Sequence, residues 1–394
     1  MKIYKTILFL ILPTSYMFAS PLSLSLSTNG KYAVSADGNN HAYLYNLDKH
    51  TIKDLGDDYN YRSAYFIPNT DNYLLQNKDT NEVTVSNING KTVYKFNPKL
   101  QANSNAMSSN LKYYAISDGK NNTYIIYPKE KQKSQLIYHW CMGDPNLNKN
   151  MAHECGSLKP DSFEFTKDSK KLIDTTSSFL YIWDTESTEG KIIGENSGAT
   201  MNAIDPNGQF VYTADQQYGG IKYNLNDNKT VQNLFYYPQE KENVSYESYG
   251  KYNKKDYFNG ISNYKFIDED RIIATFKGVS QSYLWAGLFK PSDYKKSGNH
   301  DTTYSIKYLA LTKDPMKFLK GNYRDNTDPF PIVGGYNTTF DTSVEAHKLV
   351  MAQANGNGIM VYNYNPKDES LKLDWVGVPA KAEEKKEEKK GWFW

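Results

Sequence analysis

A turn followed by two β-rich runs recurs along this chain, and little else in the sequence limits its fold as sharply. The clearest copy occupies residues 204–226, IDPNGQFVYTADQQYGGIKYNLN. Asp205-Pro206-Asn207-Gly208 reads as a tight turn in which Asn-Gly supplies the positive φ angles of a two-residue hairpin. Phe210-Val211-Tyr212-Thr213 and Ile221-Lys222-Tyr223 carry the β-branched and aromatic residues that suit a pleated strand.

Seven copies can be placed. Turns at 27–30, 67–71, 108–110, 167–170, 205–208, 268–270 and 341–343 each precede two such runs, among them KYAVSAD with HAYLYNLD and KLVMAQA with GIMVYNYNP. A strand such as Ser63-Ala64-Tyr65-Phe66 precedes each turn, and a fourth run such as Lys91-Thr92-Val93-Tyr94-Lys95-Phe96 closes the unit. A four-stranded unit of roughly forty residues cannot bury both faces of its sheet alone, whereas a closed ring of them can. The expected fold is all-β, a β-propeller of seven four-stranded blades over residues 21–378. The 34 tyrosines suggest sheets with one wet and one buried side.

The segments DPNGQFVYTAD, STNGKYAVSAD and LYIWDTES resemble WD-repeat and YVTN-type propellers, with Trp183-Asp184 standing where the WD dipeptide falls. The Gly-His half of the WD pattern is missing. This resemblance implies a binding platform. Some such proteins are lactonases or quinoproteins, but none of their catalytic signatures can be placed on these residues.

With strands lettered a to d from the axis outward, the b–c and d–a connections share one face of the disc. Long insertions at 139–160, 237–260 and 313–335 are all d–a connections, so they are expected to decorate one face together. Long loops on a rigid scaffold are where binding residues concentrate. A shorter insertion at 291–301 is a c–d connection and falls on the plainer face with the a–b turns.

Several residues could carry chemistry. In an exported protein Cys141 and Cys155 read as a disulfide. It would close a loop of about 15 residues and add roughly 3 kcal/mol on the chain-entropy view. The alternative is zinc held by His139, Cys141, His153 and Cys155, because two His-x-Cys motifs on paired strands would present four ligands on one face. Asp37, Asp79, Asp118 and Asp215 recur in b–c loops, with His41 beside the first. They read either as a channel-mouth site for a divalent cation or polar ligand, or as ordinary turn chemistry. Tyr246, Tyr249, Tyr252 and Tyr257, in the second insertion, read as partner contacts or as a small cluster folded back on itself. Residues 379–394 form a Lys/Glu tail ending in Trp392-Phe393-Trp394, three apolar groups suited to docking on a partner or at a membrane interface.

At the other end, Lys2 and Lys5 precede an apolar run that closes on Ala19-Ser20, the outline of a signal peptide over residues 1–19. Export to a bacterial periplasm or beyond is therefore expected. The formal net charge of +2 falls to zero once the two lysines are removed, which leaves no electrostatic footprint for nucleic acid. Gly-x-Ser-x-Gly, His-Glu-x-x-His, P-loop and paired-glycine dinucleotide motifs are all missing. No cofactor is expected beyond that divalent cation. The sequence thus reads as an exported, monomeric, non-enzymatic scaffold engaging a protein or glycan through the insertion face. The second reading is a lactonase-like hydrolase with a divalent cation in the central channel.

Overall fold

The structure is a computed structural model that describes residues 21–117, 123–130, 133–137, 160–176, 179–195, 201–214, 219–227, 229–238, 261–276, 285–289, 294–297, 300–310, 339–352 and 358–379. Strands Pro21–Leu26, Tyr32–Asp37, Ala42–Asn46 and Thr51–Gly56 pair in chain order as one antiparallel sheet. The same a-b-c-d order returns in the sheets at 59–96, 104–137, 160–195 and 340–377. This is the arrangement of a β-propeller.

The described strands form six sheets, not seven separate blades, because residues 201–310 belong to one nine-stranded sheet. Two antiparallel runs meet there by their outer edges, where Phe235–Pro238 pair in parallel with Thr303–Ile306. The strands concerned, Lys229–Pro238 and His300–Ala310, are 10 and 11 residues long. They outrun their antiparallel partners, and an edge that still offers free N–H and C=O groups pairs with whatever lies alongside. The 291–301 connection is likewise more than a loop. It contains strand Tyr294–Ser297, which folds back on His300–Ala310.

Each sheet is packed between two others, and this decides where its side chains go. In the first sheet Ala33, Tyr43 and Tyr45 join Val350, Ile359 and Val361 of the last sheet. Their alternates Val34, Ala36, Ala42 and Leu44 join Ala64, Phe66 and Leu75 of the second. Comparable clusters link the second sheet to the third, the third to the fourth, and the fourth to Val211, Tyr223 and Leu225. Another joins Ile267 and Ile273 to the last sheet. The b and c strands are consequently dry on both faces, and Tyr45, Tyr114, Tyr181, Tyr223 and Tyr362 are fully buried. Wet-and-dry alternation survives on outermost strands such as Ser370–Gly377.

Recurring local devices shape the sheets. The c–d pairing carries a register shift at Ala42/Tyr43, Val85/Ser86, Leu180/Tyr181, Lys222/Tyr223 and Val361/Tyr362. Bulges of this kind increase local twist, as a blade requires. Three a–b turns share one wiring. Ser27, Ser108 and Thr166 each donate a hydroxyl to the Asn or Asp two residues on, whose Oδ1 also accepts the N–H of Lys31, Lys112 or Lys170. At 205–208 the positive φ lies on Gly208 alone, and the Gly208 N–H donates to the Asp205 carbonyl. That turn is a longer hairpin loop and not the two-residue form expected from Asn-Gly. The last turn is also displaced: Asp341, Thr342 and Ser343 lie on strand Phe340–Ser343 and the chain turns at 344–347.

Ring closure involves no exchanged strand, since the first and last sheets are each contiguous in sequence. Asp341 Oδ2 accepts the Leu26 N–H at 2.8 Å and the Ser25 hydroxyl at 3.1 Å, and Ser343 Oγ donates to the Thr28 carbonyl. Trp375 stacks on His50 at 5.0 Å and meets Tyr45 edge-on. Gly30, at φ 65°, closes the same seam, where a Cβ would come within 2.3 Å of the Ala346 Cβ.

Candidate functional site

The innermost strands converge on an axial cavity of about 1220 Å³. Its wall draws on seven of them: Pro21–Leu26, Tyr59–Phe66, Ser104–Met107, Pro160–Phe165, Met201–Ile204, Ile261–Phe266 and Phe340–Ser343. The rim is made of a–b turns, including Thr28, Asn69, Ser109, Lys167 and Asn207. The recess therefore opens on the face opposite the d–a connections.

An innermost strand has one neighbour only, so its axial edge carries N–H groups that need acceptors. The residue two places before the one that opens each turn (Ser27, Ile67, Ser108, Thr166, Asp205, Ile267 and Ser343) supplies some of them. Ser25 Oγ accepts the Phe66 N–H of the next sheet at 3.1 Å, and Asp341 accepts Leu26 N–H. The equivalent positions elsewhere hold Tyr65, Ala106, Glu164, Ala203 and Lys265. Three of the seven are thus charged, and all three line the cavity.

Lys265 Nζ lies 3.9 Å from Asp341 Oδ1. Removal from water opposes the ammonium, but the fields of Glu164 and Asp341 outweigh it and hold the Lys265 pKa above its usual value. Glu164 is displaced the opposite way for a carboxylate. Loss of solvent pushes its pKa up, Asp341 adds to the push, and Lys265 works against it. These side chains sit deep inside the ring yet reach the recess, for Lys265 keeps 38% of its side-chain surface exposed and Asp341 18%. At the rim Arg271 donates to Asp268 Oδ2 at 2.7 Å and to Glu369 Oε1, beside the last sheet, at 2.9 Å. Both carboxylates hold the guanidinium strongly cationic.

Two of the four b–c aspartates are described, and neither lines the cavity. Asp37 Oδ1 accepts the N–H groups of Asn39 and His41 within its own loop. Asp79 is exposed on a loop organised by Asn77 Oδ1. His41 bonds Asp54 Oδ1 at 2.7 Å and stacks on Tyr43, so its ring serves the outer sheet. Asp118, Asp215, the residues His139, Cys141, His153 and Cys155, the tyrosines Tyr246, Tyr249, Tyr252 and Tyr257, and Trp392–Trp394 lie outside the described residues. Among the described residues no group of three or more His, Cys, Asp or Glu side chains could hold a metal ion. Sequence reasoning missed Glu164, Lys265 and Asp341. Their signal was the shared position two residues before each turn, legible only when the units are aligned on their turns.

No protein-family model matches the sequence, and no curated protein matches it. Solved structures do. Hsv2 of Kluyveromyces lactis, a β-propeller, superposes with a TM-score of 0.54 at 9% identity, covering 91% of this chain and 99% of that one. Hsv2 of Kluyveromyces marxianus gives 0.55 at 8% identity, covering 91% and 98%. At that identity the likeness concerns the fold alone.

Proposed function

We propose that the protein is an exported, non-enzymatic propeller scaffold that engages a protein or glycan of the cell envelope through the face carrying the d–a connections. One observation carries the reading. The described strand ends Ile137 and Pro160, Pro238 and Ile261, and Ala310 and Phe340 bound the three longest connections, and strand direction sets these ends on one face. A ring packed at its sheet-to-sheet contacts gives such loops a rigid base, where recognition residues are commonly found. The strand Pro21–Leu26 begins on this face and Ser370–Gly377 ends on it, so on this reading both the signal segment and the tail would join the ring at that face. On this reading the nine-stranded sheet counts as two blades joined by their outer edges, which makes seven units.

The test is a cross-linked pull-down from the native envelope with three proteins: the full chain, a form ending at Pro379, and a form with residues 239–260 replaced by a short Gly/Ser linker. A partner retained by the first two and lost from the third supports recognition by the insertion face. A partner lost only on removing the tail moves recognition to Trp392–Trp394. If no form retains a partner, the scaffold reading fails.

A further inference from the structure

The axial cavity lies on the other face and forms a site of its own. Seven carboxylates line it, against the cations Lys167, Lys265 and Arg271. The whole chain has a formal charge of +2, so the excess of negative charge is local to the recess. Three of these carboxylates already have structural work. Asp205 holds the N–H groups of Gln209 and Phe210, Asp268 holds Arg271, and Asp341 serves Leu26, Ser25 and Lys265. Glu164 differs from them. It lies in the wall beside Phe163 and Phe165, and among the described residues its carboxylate has no hydrogen bond and no ion pair within 4 Å, although it stands in the field of Lys265. A desolvated carboxylate that accepts no hydrogen bond is costly, and a cation that donates to it directly recovers part of the lost interaction.

At about 1220 Å³ the recess exceeds the roughly 300–1,000 Å³ usual for small-molecule pockets and can admit a chain segment.

We infer that the axial recess binds a basic peptide segment, with a lysine or arginine side chain entering along the axis to meet Glu164. Asp341 is held by the ring seam and by Lys265 at 3.9 Å, which leaves Glu164 as the carboxylate on the inner strands that accepts no hydrogen bond among the described residues. The rim carboxylates draw the segment in, which makes the association sensitive to salt.

Fluorescence anisotropy with labelled hexalysine and hexaglutamate tests this on the full chain, using Glu164→Gln and, as a control of equal charge change, Glu130→Gln on an exposed turn remote from the cavity. Hexalysine is expected to bind, to bind roughly tenfold more weakly to Glu164→Gln, and to be unaffected by Glu130→Gln. Hexaglutamate is expected not to bind. A circular dichroism melt confirms that Glu164→Gln is folded, and Lys265 keeps its Asp341 partner in that variant. Failure of the native chain to bind hexalysine, equal weakening by both substitutions, or binding of hexaglutamate as well overturns the assignment. The outcome is independent of partner capture on the insertion face, so either proposal can fall alone.

Discussion

Trp183 shows how one residue fixes its surroundings. Its indole is buried on strand Phe179–Asp184, donates to the buried Asp174 carboxylate at 3.2 Å, and stacks on Tyr181. Gly190 lies against the ring, where a Cβ would fall 2.0 Å from the indole. Trp183→Ala is expected to cost about 3–5 kcal/mol through cavity formation and the lost donor. Gly190→Ala should destabilise through overpacking instead, by about 1–3 kcal/mol. Urea unfolding of both variants checks these values. The next residue, Asp184, accepts the N–H groups of Ser187 and Glu186 and the Ser187 hydroxyl. The Ser187 N–H contributes most to holding its pKa below the usual carboxylate range. A folded pKa below the unfolded one, which is about 3.9, makes this stabilisation complete above that value. It disappears as pH falls through the folded pKa. Melting temperatures recorded between pH 5 and pH 2 should fall less steeply for Asp184→Ala than for the native chain, from a lower starting point. Glu164 has the opposite sign, because its raised pKa makes the folded state disfavour the charged form as pH rises.

Among the elements, the shared a–b turn explains why the repeats tolerate such varied sequences. A hydroxyl, then Asn or Asp two residues later, then Lys two residues beyond that, satisfies the turn locally at 27–31, 108–112 and 166–170. Asn110→Ala removes an acceptor from both the Ser108 hydroxyl and the Lys112 N–H. The loss should be about 1 kcal/mol, since the turn is exposed and water replaces part of the interaction. Chemical denaturation of that variant reads it directly, and an unchanged midpoint would show that the wiring is incidental.

Across the whole molecule the ring depends on a seam made of side chains. Asp341, Ser343, Trp375 and His50 join the first and last sheets, with Lys348 Nζ 3.7 Å from Asp48 on the outside. Asp341→Ala leaves the Leu26 N–H without its acceptor and Lys265 without its closest carboxylate. It should cost about 2–4 kcal/mol and speed limited proteolysis near residue 339, since the last sheet is released first. Removing residues 339–379 altogether exposes the apolar faces of both neighbours, so the cooperative thermal transition should vanish. A truncated chain that still melts cooperatively would show that the ring is not the folding unit.

The sequence by itself determined the local structure. Alternating β-rich runs, Asn, Asp and Gly in the turns, and the spacing of the units led to a propeller of antiparallel a-b-c-d sheets, because those choices are made within a few residues of one another. What lies between the units was decided only by the tertiary structure. The b and c strands are dry on both sides because each sheet has two neighbours, a fact no single strand encodes. Residues 201–310 form one nine-stranded sheet because two long outer strands happen to lie side by side. Glu164, Lys265 and Asp341 are separated by about a hundred and about eighty residues in sequence, and closure of the ring alone brings them to one wall. Of the aspartates read as a channel site or as turn chemistry, Asp37 accepts two N–H groups of its own loop and Asp79 is exposed on a loop organised by Asn77. Burial and charge pairing across the axis are long-range properties, which a one-dimensional pattern leaves open until the ring is shut.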